Sequence, residues 1–336
     1  MKRLYIITGA KGHLAGTIIR ALRGTDCYIR GLILPSENGR DDSQITYYTG
    51  DITQLESMNS LFSDIDHFET IVIHTAGIIN ISDEDDIVPQ MYAVNVLGTK
   101  NVVEQCRRHQ VKRLVYVSSV HAIPEADSLS TIVETSVFDP DFVKGTYAKT
   151  KAEATRIVLD AAKNGLNAVI VHPSGIIGPY DTGSNHMVQL VQKYLNGRLP
   201  TVVTGGYDFV DVRDVARGCL KAAEKGRTGE CYILSNRYYT VQELLECMRF
   251  AAGGHRKICV PVKLAYLTAP IFEKTAALLH KRPLFTRYAL QTISGNGHFS
   301  HDKATMELGY HPRDLKNTID DTVMWLRSRY LTGVSK

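Results

Sequence analysis

Between a β-branched run, Leu4 to Thr8, and a pattern with Leu14, Ile18 and Leu22 on one helical face, the chain reads Thr8-Gly9-Ala10-Lys11-Gly12-His13-Leu14-Ala15-Gly16. A strand that turns through spaced glycines directly into a helix constrains the fold more than any other feature of the chain. Gly9 suits a tight turn, Gly12 lets backbone N–H groups approach a pyrophosphate, and the helix N-terminus adds a partial positive charge. A glycine turn alone also occurs as a plain turn; the flanking strand and helix are what point to a dinucleotide. The phosphates are expected along Gly9, Lys11, Gly12, His13 and Leu14. The third small position is Ala15, which adds one methyl group to the helix–strand contact, and Gly16 does not replace it.

Further apolar runs at Tyr28 to Leu34, Thr70 to His74, Arg113 to Val117 and Ala168 to Val171 each precede a turn or a helical stretch. Repeated βα units with strands apolar on both faces predict an α/β fold, a Rossmann-type doubly wound parallel sheet. At about 150 residues per domain, 336 residues allow about two units. The pattern loses regularity after Pro173, where Gly175, Gly178, Pro179 and Gly183 punctuate a loop. A strand-like Asp208 to Val210, the helix Val212 to Glu224 and Cys231 to Leu234 read as a return to the sheet. The expected division is therefore residues 1–173 plus about 207–235 for the dinucleotide, with about 174–206 and 236–330 as a smaller, discontinuous C-terminal substrate domain. Helices are expected at Asn185 to Asn196, Val241 to Ala251, Val262 to Leu279 and Leu315 to Tyr330.

Hydrophobic residues at 44% and charged residues at 22% exclude disorder and coiled coil for the whole chain. A net charge of +4, spread thinly, argues against a nucleic-acid partner. Cys27, Cys106, Cys219, Cys231, Cys247 and Cys259 form no CxxC pair and no zinc-ligand spacing, so no metal is expected and the thiols read as free. The N-terminus carries no leader-like pattern, which makes the cytoplasm the expected compartment. Val262 to Leu279 contains Pro270, Glu273 and Lys274, so no stable membrane insertion is expected and an amphipathic covering helix is the preferred reading.

Dinucleotide sites declare their preference near the end of the second strand, where an acid binds the NAD ribose or a base meets the NADP 2′-phosphate. The strand ends Ile33-Leu34-Pro35-Ser36-Glu37, which places Leu34 at the expected acid position, with Lys11 and Arg40 nearby. NADP is slightly favoured over NAD; the alternative has Glu37 turning inward to take the ribose.

Tyr147 is the only one of 17 tyrosines with lysine four residues on, at Lys151. In a helix these side chains share a face about 6 Å apart along the axis. An ammonium about 4 Å from a phenol, at an effective dielectric of 20, is worth roughly 4 kcal/mol, or about three pKa units. That suffices to bring a tyrosine from about 10 to near 7, which makes it a serviceable proton shuttle. About one Tyr-x-x-x-Lys is expected by chance in such a composition, so the position after the Arg113 to Val117 strand carries the argument. That strand leads into Ser118-Ser119 at the C-terminal edge of the sheet, where ligands bind in open α/β folds. Ser119 lies one step further out and is the preferred substrate-binding hydroxyl; both serines could instead satisfy backbone groups.

Alongside the glycine turn stand Asp51-Ile52, His74-Thr75-Ala76-Gly77, Asn95 within Val94-Asn-Val-Leu-Gly-Thr99, the Ser119, Tyr147 and Lys151 set, and Pro173. Together these residues resemble the extended branch of the short-chain dehydrogenase/reductase family, over nearly the whole chain. The resemblance implies that Asp51 and Ile52 lie near adenine, that Thr75, Ala76 and Gly77 line the cofactor, and that Pro173 and Ser174 flank the nicotinamide. Ser118-Ser119-Val-His-Ala, His172-Pro-Ser-Gly-Ile-Ile-Gly178 and Asp208-Phe-Val-Asp211 are most similar to the dihydroflavonol reductase, aldehyde reductase and 3β-hydroxysteroid dehydrogenase group. Sugar epimerases of the family typically follow the catalytic Ser or Thr with Val-Tyr-Gly, and dehydratases with Asp-Glu. In this chain Val120-His121-Ala122-Ile123-Pro124 follows Ser119.

The expected activity is NAD(P)H-dependent reduction of a small, mainly apolar ketone or aldehyde, or oxidation of the alcohol. Ser119, Tyr147 and Lys151 are the expected catalytic residues, and Ser119, His121, Tyr147 and Tyr207 the substrate contacts. A nucleotide-sugar epimerase using the same three residues is the alternative, and a non-catalytic dinucleotide sensor a remote one. The resemblance also implies a homodimer built on the helices around Met91 to Arg107 and Phe142 to Ala162, the first with Val94, Leu97, Asn101 and Val102 at near-helical intervals, a stripe that could equally pack on the sheet.

Overall fold

The computed structural model describes residues 1–79, 88–125, 130–181, 183, 185–199, 201–255, 257–266 and 287–331. Seven parallel strands form the main sheet: β1 (Lys2–Thr8), β2 (Cys27–Ile33), β3 (Ile45–Thr49), β4 (Phe68–His74), β5 (Arg113–Val117), β6 (Ala168–Pro173) and β10 (Cys231–Leu234). Their order is β10-β6-β5-β4-β1-β2-β3, so the winding reverses between β1 and β4. The crevice beyond the carboxyl ends of those two strands is where open α/β sheets take ligands.

The period-2 alternation of each strand builds two cores. Leu4, Ile6, Val72, Leu114, Tyr116 and Ile170 face one side, with Val102, Ala152 and Val158 from the helices Thr99–Arg108 and Thr146–Lys163. Tyr5, Ile7, Ile73, Val115 and Val171 face the other, with Leu14, Ile18 and Val215 from the helices His13–Leu22 and Val212–Lys225. Burying a side chain of this size is worth about 1.5–3 kcal/mol, and both faces of the sheet collect it.

The edge strand β3 is not expected from the sequence. Its run Ile-Thr-Tyr-Tyr-Thr buries only Ile45 fully, so the apolar signal is weak. Cys231–Leu234 does return to the main sheet, but the strand-like segment at Asp208 to Val210 does not. It is part of β9 (Gly206–Asp211), which lies in a separate three-stranded sheet between β7 (Gly175–Ile177) and β11 (Tyr238–Thr240). Gly175 permits this pairing, because a Cβ there would fall 2.9 Å from the Asp208 carbonyl oxygen. A parallel pair, β8 (Thr201–Val203) with β12 (Ile258–Val260), lies beyond. Helices at His186–Leu195, Val241–Ala252 and Leu315–Leu331 match the expected periodicity. Of the expected helix Val262 to Leu279, the part beyond residue 266 lies outside the described residues. Among the described residues no helix is long and apolar enough to cross a membrane.

Residues 93–98 form a π-helical turn ahead of Thr99–Arg108. Its wider turn breaks the 3.6-residue period, and the expected stripe of Val94, Leu97, Asn101 and Val102 splits accordingly. Val102 is fully buried, Asn101 donates to the Ile52 carbonyl at 2.8 Å, and Leu97 is exposed.

Candidate active site

Gly9 adopts φ +65°, and a Cβ there would lie 3.0 Å from Ala76 Cα, so the turn after β1 and the loop after β4 pack backbone to backbone. The Gly12 N–H donates to the Gly9 carbonyl at 2.8 Å, and Gly12 caps the helix His13–Leu22 with no side-chain hydrogen bond. The first N–H groups of that helix therefore have no side-chain cap of their own at the switch point, which fits an anionic pyrophosphate. The His13 side chain is directed elsewhere. Its Nε2 donates to the Pro179 carbonyl at 2.8 Å and its Nδ1 accepts from Asn185 Nδ2 at 3.1 Å, tying the first helix to the segment after β7.

A buried polar chain crosses beneath the turn. Thr99 spends its hydroxyl proton on the Asn95 carbonyl at 2.7 Å, so it accepts from His74 Nε2 at 3.0 Å. His74 Nδ1 then accepts from the Thr8 hydroxyl at 2.7 Å, and the same Thr8 oxygen accepts from the Ala76 N–H at 3.2 Å. Burial holds His74 down to about 3, so the ring is neutral. The Thr75 hydroxyl donates to the Thr8 carbonyl at 2.7 Å. Asn95 brackets Ile78 with two hydrogen bonds, and a Cβ on Gly77 would meet Asn95 Oδ1 at 3.1 Å and Lys151 Nζ at 3.7 Å. Thr75, Ala76 and Gly77 thus run from the glycine turn to Lys151.

At the end of β2 the strand stops at Ile33, and Leu34 is exposed. The Glu37 carboxylate accepts from the Leu34 N–H at 2.9 Å, closing its own turn. Lys11 sits 4.5 Å over the Tyr47 ring, and Arg40 is exposed. Asp51 accepts from the Thr53 N–H at 2.9 Å, while Ile52 is buried against Gly98.

Ser118 and Ser119 separate cleanly. The Ser118 hydroxyl bonds Thr155 at 2.7 Å, on the helix Thr146–Lys163, whereas the Ser119 hydroxyl accepts from the His121 N–H at 3.2 Å and lies beside the Tyr147 phenol. Burial pushes the Tyr147 phenol up to about 12, opposed by the neighbouring Ser119 hydroxyl. This corrects the expectation of a phenol near 7. Lys151 Nζ donates to the Val117 carbonyl at 2.8 Å and to the Tyr116 hydroxyl at 3.3 Å, and burial lowers it to about 7. An ammonium turned toward the strand, and only part charged at neutral pH, does not depress the phenol.

Beyond Tyr147 the walls are aromatic. The His121 ring meets Tyr147 edge-on at 5.9 Å and stacks on Tyr207 at 5.8 Å, and His121 Nε2 is 3.1 Å from the Tyr207 hydroxyl. Tyr207 comes from β9 and also packs against Phe209 and Phe299. Next to Pro173, the Ser174 hydroxyl donates to Asp208 at 2.5 Å, and Asp208 also accepts from the Asn236 N–H at 2.9 Å. Sequence reasoning gave no role to Tyr116, His172 or Asp208. The last two stand inside motifs that carry the family resemblance, while Tyr116 reads as one more apolar position of β5.

A family model described as the NAD dependent epimerase/dehydratase family matches residues 5–235. The chain belongs to that family. Sterol demethylase protein B of Methylococcus capsulatus is 28% identical over 335 residues, 96% of this chain and 98% of its own length. A putative dihydroflavonol 4-reductase of Synechocystis is 27% identical over 341 residues, 98% of this chain and 96% of its own. The crystal structure of gox2253 superposes with TM-score 0.82 at 27% identity, covering 97% of this chain and 98% of that one. UDP-glucose 4-epimerase of Thermotoga maritima shares the fold, with TM-score 0.77 at 20% identity over 97% and 99% of the two chains. Membership in this NAD-dependent family accords with the helix N-terminus and the close Gly9–Ala76 contact.

Proposed function

We propose that the protein is an NAD(P)H-dependent carbonyl reductase, or alcohol dehydrogenase in reverse, acting on a small, mainly apolar ketone or aldehyde. One observation carries the reading: Ser119 and Tyr147 are gathered around His121 where β5 ends, and Lys151, one turn along the Tyr147 helix, bonds the Val117 carbonyl. The dinucleotide is assigned to Gly9, Lys11, Gly12, the backbone of His13 and Leu14, Asp51, Ile52, Thr75, Ala76, Gly77, Pro173 and Ser174. When bound, it supplies or accepts the hydride at its nicotinamide.

Tyr147 delivers the proton to the substrate oxygen. A phenol held at about 12 is fully protonated at neutral pH, which is the form reduction requires. Ser119 hydrogen-bonds the same oxygen and orients the carbonyl, and Lys151 holds the ribose side of the cofactor near Gly77. His121 and Tyr207 give the substrate an aromatic wall, which suits an apolar carbonyl better than a nucleotide sugar. NADP is favoured slightly, because Leu34 carries no acid and Lys11 lies close to the strand end. A homodimer on the helices around Met91 to Arg107 and Phe142 to Ala162 belongs to the same reading, supported by exposed Tyr92, Leu97 and Phe142.

The test is a fluorescence titration with NADPH and NADH, followed by turnover on aromatic aldehydes, a dihydroflavonol, a hydroxysteroid and UDP-sugars. Net oxidation of reduced cofactor by at least one apolar carbonyl is expected. Interconversion of UDP-sugars without net oxidation, and no turnover of the carbonyls, would overturn the proposal.

A further inference from the structure

His172 lies near the end of a fully buried strand, one residue before Pro173, and its ring has a single hydrogen bond: Nδ1 lies 2.9 Å from the Ser119 carbonyl oxygen. A carbonyl can only accept, so Nδ1 carries the proton. Nε2 is then a lone pair, and it is buried with no hydrogen-bond partner among the described residues. The ring stacks on Phe138 with centroids 5.2 Å apart and planes 1° from parallel.

What the imidazole does that an apolar ring cannot is hold the backbone of Ser119. The Ser119 carbonyl takes two hydrogen bonds, from the Ala122 N–H at 3.0 Å and from His172. The first shapes the short 3-10 turn Val120–Ala122; the second crosses from β6 to the end of β5. Ser119 is thereby fixed relative to the Pro173 end of β6. Ser119 in turn lies beside Tyr147, its hydroxyl accepting from the N–H of His121, whose ring meets the Tyr147 ring edge-on.

We infer that His172 is a positioning residue for Ser119, setting the separation between the substrate-orienting hydroxyl and the segment at Pro173 through its Nδ1–H donor. This rests on the proposed Ser119 and Tyr147 chemistry. His172 itself touches neither substrate nor cofactor, so its loss should lower kcat and leave KM and cofactor affinity nearly unchanged.

The experiment compares His172→Phe, which keeps the stack on Phe138 without the donor, with His172→Asn, whose amide nitrogen can take the place of Nδ1. Turnover of an accepted carbonyl should fall about tenfold or more in His172→Phe, with KM and NADPH dissociation constant within about twofold of wild type. His172→Asn should recover at least half of the wild-type kcat. A smaller loss in His172→Phe, or no recovery in His172→Asn, overturns the inference. Tyr147→Phe is run beside them: if it stays active, the reading of the site fails, whereas if it is inactive and His172→Phe is not, only the role of His172 fails. Should His172→Phe not fold, nitrogen-15 NMR of the wild-type ring decides. A neutral ring protonated at Nδ1 sustains the inference, and one protonated at Nε2 ends it.

Discussion

Lys151 is bonded to the backbone of Val117: its Nζ donates to the Val117 carbonyl at 2.8 Å, across from the helix that carries Tyr147. The lysine is therefore anchored to the end of β5 and not aimed at the phenol. Substituting the two residues should have different consequences. Tyr147→Phe removes a proton donor and should abolish nearly all turnover while leaving the cofactor dissociation constant little changed. Lys151→Ala removes both an anchor for the strand end and a cofactor contact, and should weaken binding and turnover together. Steady-state kinetics beside fluorescence titration separates the two patterns, and more than a tenth of wild-type rate in Tyr147→Phe contradicts the assignment.

Cofactor choice should be shallow. Leu34 presents no charge at the end of β2, and the Glu37 carboxylate is engaged by the Leu34 N–H. A single screened ion pair from Lys11 or Arg40 to a 2′-phosphate is worth about 0.5 to 2 kcal/mol, or roughly two- to thirty-fold in affinity. Lys11→Ala with Arg40→Ala should reduce NADPH affinity and spare NADH. A wild-type preference for NADH above about tenfold would assign the ribose to Glu37 instead.

Gly9 in the first turn and Gly16 in the helix after it should respond oppositely to alanine. Gly9 has φ +65°, and its added Cβ would press on the Ala76 backbone at 3.0 Å, so Gly9→Ala should cost about 1–3 kcal/mol and weaken dinucleotide binding. Gly16 lies in the helix with nothing within 4 Å of an added Cβ, so Gly16→Ala should be neutral or stabilise by up to about 1 kcal/mol. Denaturant unfolding of both variants tests the contrast.

Stability should fall in mild acid. Burial holds His74 at about 3 and His172 at about 4, below the ordinary value of 6.5. Between 6.5 and those values the unfolded chain binds more protons than the folded one. Their contribution is thus fully present above 6.5 and is lost as pH falls, at no more than about 1.4 kcal/mol per pH unit for each ring. Thermal melts from pH 7 to 4 should show a steep decline that is shallower in His172→Asn; an equal slope in that variant would contradict an origin in the buried His172 ring.

Association is testable at the exposed helix surface. Leu97 is 45% exposed on the π-helical turn, and Phe142 is 64% exposed ahead of the helix Thr146–Lys163. Light scattering at micromolar concentration should report a dimer, and Leu97→Glu should shift it toward monomer. A monomeric wild type would remove the dimer from the reading.

The sequence alone determined the local chemistry. Alternating apolar strands, a glycine turn between β1 and its helix, and the four-residue step from Tyr147 to Lys151 are set by periodicities of 2.0 and 3.6, which are visible without knowing what packs on what. The same reasoning located the return of Cys231–Leu234 to the sheet and the hydroxyls at the end of β5. Only the tertiary structure decided which partner each side chain takes. Ser118 turns to Thr155 and Ser119 to the His121 N–H; Lys151 reaches from its helix to a carbonyl at the end of β5; His13 leaves the phosphate turn for Pro179 and Asn185, far along the chain. The Gly206–Asp211 strand joins a separate sheet because Gly175 admits its close approach, and a π-helical turn divides a stripe that even spacing predicted as one face. Hydrogen bonds and desolvation act over a few ångströms of space, and sequence separation carries no information about them. That is why the pKa of Tyr147, argued from one neighbour four residues away, is set instead by burial, with the Ser119 hydroxyl opposing it.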